Sequence, residues 1–193
     1  MFNKLRPVWL VAGRELKDQF RDWRVLTPMI ILMVCFPFLM NEFAKQTVDF
    51  LNQYEANLIL DRLVPFSIMI IGFFPITISL VVALEAFVGE KERGTIEPVL
   101  SAPLDDWQLY FGKLLVGVAT PLAASYLSIT LYLIMIVQQG LEIPSFSIML
   151  QLILLTTAHS TLMVSAAIVI SVQSTSVKAA NLLASFIVIP VAI

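Results

Sequence analysis

Residues 63–84, 114–141 and 143–177 contain no Lys, Arg, Asp or Glu. Each stretch exceeds the roughly 20 residues that carry a helix across about 30 Å of hydrocarbon. A water-soluble core could not hide so much uninterrupted apolar chain within 193 residues, of which 59% are hydrophobic and only 13% charged. An ordinary soluble domain carries about 25% charge. Disorder, collagen-like sequence and a disulfide scaffold are excluded by 7 Gly, 10 Pro and a single Cys. The pattern requires an all-α integral membrane protein, a polytopic helical bundle. Two shorter charge-free runs flank the long ones: 25–41, whose helix can continue past Glu42 despite Pro28 and Pro37, and 179–193. The expected spans are therefore about 25–43, 63–86, 107–137, 146–172 and 179–193, the last incomplete. The bare apolar end at Ile193 leads to the expectation that the natural gene encodes further residues with at least one more span.

Short loops rich in Lys and Arg stay in the cytoplasm. Lys4, Arg6, Arg14, Lys17, Arg21 and Arg24 precede the first span, Lys91, Arg93 and Lys113 lie between the second and third, and Lys178 lies between the fourth and fifth; the opposite side receives only Lys45 and Arg62. Ten against two predicts a cytoplasmic N-terminus. A net charge of −2 gives no basic surface for nucleic acid, and Cys35, alone in an apolar run, reads as a packing residue.

Residues 1–24 read as a cytoplasmic amphipathic helix lying in the membrane interface. Pro7 suits a first turn, and Trp9, Ala12, Leu16, Phe20 and Trp23 recur at spacings of three and four, with Arg14, Lys17 and Arg21 mainly elsewhere. Tryptophans in the apolar stripe and basic residues on the wet side suit anionic lipid headgroups.

Residues 87–106 form a series of helix stops and starts. The second span can run out to Arg93 and end at Gly94, the residue best suited to a left-handed terminus. Thr95 can cap a short helix with Glu97 in its positive first turn and Pro98 tolerated there; Pro103 discourages continuation, and Asp105 with Gln108 resembles a capping box for the third span. The product is a rigid elbow suited to a protein partner.

The stretch from Glu90-Lys91-Glu92-Arg93-Gly94-Thr95-Ile96-Glu97-Pro98-Val99-Leu100 through Pro103, followed by Gly112-Lys113, resembles the E-x-E-x-G-T-x-E-x-L-x-x-x-P … G-K signature of type-2 ABC-transporter permeases. The basic N-terminal helix fits that family too, so the likeness covers essentially the whole chain. It implies a transmembrane permease domain over 25–193 with a six-span architecture, of which about five spans are present. It also implies that the elbow is the coupling helix that docks on a cytoplasmic ATP-binding subunit, with Glu90, Glu92, Arg93, Gly94, Thr95 and Glu97 as coupling positions. The implied function is membrane subunit of an ABC exporter in the cell membrane, as a permease homodimer or heterodimer. ATP and Mg would reside on the partner, with no cofactor in this chain.

The chain's own chemistry excludes the ATPase role. Its only Gly-Lys, Gly112-Lys113, lacks the remainder of G-x-x-x-x-G-K-[ST]. Neither H-E-x-x-H nor G-x-S-x-G occurs, so no catalytic residue is assigned, and one His with one Cys cannot build a metal cluster. Glu85 is placed at the cytoplasmic end of the second span. The fourth span is the polar exception: Gln151, Thr157 and His159 could line a substrate pathway, or its Ser and Thr could serve packing between helices. Pro65, Gly72 and Pro75 in the second span and Pro121 in the third read as bends and not as a site. The rival reading is a non-transporting scaffold that recruits a cytoplasmic protein through the elbow; an ion channel is disfavoured because charged rings and a filter-like motif are missing.

Overall fold

The computed structural model describes residues 2–53, 57–94, 97, 104–141 and 143–183. Among them all regular structure is helical: α1 (Phe2–Arg21), α2 (Trp23–Gln53), α3 (Asn57–Glu92), α4 (Asp106–Gln138) and α5 (Phe146–Gln173), with residues 177–183 helical as well. Three stretches among the described residues are long and apolar enough to cross a membrane: Leu26–Phe50, Asp106–Gln138 and Phe146–Gln173; α3 carries a shorter one, Arg62–Thr77. The end of the expected fifth span, 184–193, lies outside the described residues, as does the side chain of Glu85.

The helices overrun the charge-free runs. α2 continues beyond 43 to Gln53 because its first polar turns satisfy themselves: Lys45 pairs with Glu42 at 2.7 Å, three residues apart on an exposed face. At its other end α2 begins at Trp23, since Asp22 breaks the chain after α1 and caps α2, its carboxylate accepting the Arg24 amide at 2.9 Å. Trp23 thus belongs to α2, and Pro7 falls inside α1 and not at its start. α4 starts with half of the expected capping box: the Asp105 amide donates to Gln108 Oε1 at 3.2 Å, while the Trp107 indole donates to Asp105 Oδ2 at 3.2 Å.

The chain divides into two compact units. The first comprises 1–26, 77–120 and 161–193, and contains ten of the twelve Lys and Arg residues; the second, 27–76 and 121–160, contains only Lys45 and Arg62. The core of the second unit is Val64, Ile68, Ile71, Ile129, Tyr132 and Ile136, flanked by Phe36, Met40 and Leu152. The Gly72 carbonyl accepts the Ser125 hydroxyl at 2.7 Å, and the Ser128 hydroxyl donates to the Met33 carbonyl at 3.0 Å, so small residues allow these helices to approach and bond.

Candidate functional site

Within the first unit, α1 presents three faces. Val8, Ala12 and Gln19 are buried, and Glu15 beside them is half-buried. Trp9, Leu16 and Phe20 form an exposed apolar edge; Arg14, Lys17 and Arg21 are exposed around the rest. The buried face meets α4. A Cβ on Gly112 would lie 2.6 Å from Val11 Cγ1, 2.7 Å from Val11 Cβ and 3.2 Å from the Val8 carbonyl oxygen, so only glycine permits this approach. About two turns further along both helices, the Thr120 hydroxyl donates to Gln19 Oε1 at 2.8 Å.

Beside Gly112, the side chain of Lys113 is only 2% exposed. Its ammonium donates to Glu15 Oε1 at 2.8 Å, to Glu90 Oε1 at 3.0 Å and to the Ala86 carbonyl at 2.7 Å. Three donors thus meet three acceptors. The Phe87 ring lies under the charge, 4.9 Å from it to the centroid. A buried ammonium is tolerable only with such complete pairing.

The end of α3 carries the sequence-derived coupling positions. Glu90 holds Lys113; Lys91 donates to the carbonyls of Val172 and Ser174 at the end of α5; Glu92 Oε1 accepts the Val177 amide at 2.8 Å. Ser171 adds a hydroxyl that accepts the amides of Phe87 and Val88, each at 3.0 Å. Beyond the triplet, α3 closes with the Arg93 amide on the Gly89 carbonyl and the Gly94 amide on the Lys91 carbonyl, both at 3.1 Å. Gly94 adopts φ +68°, the left-handed conformation expected of it. Arg93, Gly94 and Glu97 are exposed; Thr95 and residues 96 and 98–103, where the sequence predicts a short elbow helix, lie outside the described residues. From the sequence alone, only the Gly-Lys motif links Lys113 to this region, and nothing marks Glu15.

The polar residues of the fourth expected span lie in the second unit. The Thr157 hydroxyl donates to the Ile153 carbonyl at 2.7 Å, so its single hydrogen is engaged and the 2.6 Å contact with Tyr126 has the tyrosine as donor. His159, half-buried, stacks on Phe73 with centroids 4.3 Å apart. Gln151 is exposed near the start of α5, and no hydrogen bond joins it to Thr157 or His159 among the described residues. Among the described residues no group of three or more His, Cys, Asp or Glu is placed to hold a metal ion.

Long apolar helices, with charges gathered beside their ends, define a multi-pass helical membrane protein. Residues 9–193 match the family described as ABC-2 family transporter protein, and the chain belongs to that family. It is an ABC-transporter permease, a membrane component and not itself the ATPase, of a kind that normally works with an ATP-binding subunit. A comparison with curated proteins found no match.

Proposed function

We propose that this chain is the membrane subunit of an ABC exporter, assembled as a pair of six-span permease domains on two separately encoded ATP-binding subunits in the cell membrane. ATP and magnesium are held by those subunits. The observation that carries this reading is the end of α3. At 36 residues α3 is about 54 Å long, well beyond the roughly 30 Å a bilayer core requires. Its charged tip ends in the left-handed turn at Gly94, with Arg93 and Glu97 exposed. A tip of this kind suits docking on a cytoplasmic subunit, with Glu90, Glu92, Arg93, Gly94, Thr95 and Glu97 as the coupling positions. The exposed apolar edge of α1 lies in the lipid interface, and its basic residues meet anionic headgroups. The substrate pathway passes Thr157 and His159, with Gln151 toward its end, since polar side chains inside spans tend to mark such routes.

The test is capture followed by activity. The tagged chain, isolated in lipid from its source membranes, is expected to retain a protein with an ATP-binding cassette, and the complex to hydrolyse ATP. Retention of cytoplasmic proteins without any such cassette would establish the scaffold reading in its place.

Orientation is tested separately. The gathering of ten basic residues in one unit and two in the other supports a cytoplasmic N-terminus. In a Cys35→Ser background, Glu97→Cys is expected to react with an impermeant maleimide only from the cytoplasmic side and Lys45→Cys only from outside. Labelling of Glu97→Cys in intact cells would invert the topology.

A further inference from the structure

The charged triplet at the tip of α3 is engaged within the chain. Glu90 reaches Lys113 and through it Glu15 of α1; Lys91 caps the end of α5; Glu92 receives the amide of Val177. Three consecutive residues therefore hold three different elements; Glu90 is half-buried in doing so, whereas Lys91, Glu92 and, further along, Glu97 are exposed. A carboxylate whose oxygen is bonded to an ammonium buried to 2% exposure is poorly placed to dock on another protein, because docking would first have to break that pair.

We propose that Lys113 is a positioning residue which, through Glu15 and Glu90, fastens the N-terminal helix to the base of the elbow, so that α1 moves with the elbow when the partner binds ATP. The assignment rests on the coupling reading above and divides its residues. Glu90 transmits and does not dock; contact with the ATP-binding subunit falls to exposed positions of the tip such as Glu97. The structural reasons are specific: Gly112 brings the α1 backbone against α4, and the adjacent Lys113 then bridges α1 to α3 by direct bonds of 2.8 and 3.0 Å. Without the lysine, α1 and the tip of α3 lose the charge shared between Glu15 and Glu90.

The test uses the full chain in lipid nanodiscs with its ATP-binding subunit. Lys113→Met strands two carboxylates and could misfold, so it is paired with the neutral triple variant Lys113→Met/Glu15→Gln/Glu90→Gln, because removing a whole buried ion network is often harmless to stability. In the triple variant, retention of the ATP-binding subunit and the KM for ATP are expected to stay within about a factor of two of the parent. The permease-stimulated kcat is expected to fall by about fivefold or more, the lower range of ordinary coupling between sites. A triple variant that melts normally and stimulates the ATPase like the parent overturns the positioning role, leaving the triad as packing only. Loss of retention with normal melting overturns it differently, by making Glu90 or Glu15 a docking residue. Failure of the unmodified chain to retain any ATP-binding subunit overturns the functional reading and the positioning role with it.

Discussion

Gly94→Val is expected to leave a folded permease that still binds its ATP-binding subunit but barely stimulates it. Gly94 sits at φ +68°, and a Cβ there would meet no atom within 4 Å, so the penalty is entirely one of backbone conformation. A non-glycine residue held in this region costs about 1–3 kcal/mol, and a branched Cβ is the worst case. The chain will relieve that strain by leaving the left-handed turn, and the residues after Gly94 will then set off in a different direction. Gly94 is exposed and a side chain there meets open space, so the melting temperature should change by only a few degrees. ATPase stimulation should fall by about tenfold or more, as expected when a coupling of this size is lost. Gly94→Asn is the control, since asparagine tolerates the left-handed region and should retain most of the stimulation. Normal stimulation by the valine variant would mean that the direction of the chain after α3 is irrelevant to coupling.

The second large effect is expected at Gly112. Even alanine there would place its Cβ 2.7 Å from Val11 Cβ and 3.2 Å from the Val8 carbonyl oxygen, atoms fixed by the backbone of α1 and unable to swing away. Overpacking of this kind costs about 1–3 kcal/mol for alanine, and valine exceeds what the contact can absorb. Gly112→Val should therefore lift α1 from α4 and separate Lys113 from Glu15. The measurement is thiol reactivity of Val8→Cys in a Cys35→Ser background. Val8 is buried, so the thiol should be protected in the parent and react readily once Gly112→Val is added. Val11→Gly should partly restore protection to Gly112→Ala, because the two closest atoms belong to the Val11 side chain. Continued protection in Gly112→Val would show that α1 is held mainly by other contacts.

The helices were legible because the absence of charge over 63–84, 114–141 and 143–177 admits only one kind of solvent. Their ends were less so. A charge-free run reports how much chain lipid can cover, whereas a helix stops only where a cap or a turn stops it, which is why α2 passes Glu42 and Lys45 to reach Gln53. Gly94 was readable because its conformation follows from its own residue type. The Lys113 cluster was not, because Glu15 is 98 positions from Lys113 and Glu90 is 23 away, and spacing along one helix cannot say which face of another it meets. Gln19 illustrates the same limit: among the polar residues of α1 it looks like a solvated side chain, yet it is buried and accepts the Thr120 hydroxyl. Thr157 stands out in the sequence for its polarity, but its hydroxyl donates within its own helix, to the carbonyl four positions earlier.

The attachment of Glu90, Lys91 and Glu92 to three separate elements also fixes the phase of α3. Each residue added to a helix turns the remainder of that helix by about 100° and advances it by about 1.5 Å. One extra residue shortly before Glu90 would therefore rotate all three side chains away from their partners together, and four extra residues would nearly restore the rotation but carry the triplet about 6 Å past them. Neither error can be corrected at one position, because the partners belong to α4, to the end of α5 and to the chain at Val177. Divergence at the base of the elbow is thus confined to exchanges of side chain at constant length. An epitope or reporter inserted there would desynchronise the permease even if it were small, flexible and fully hydrated.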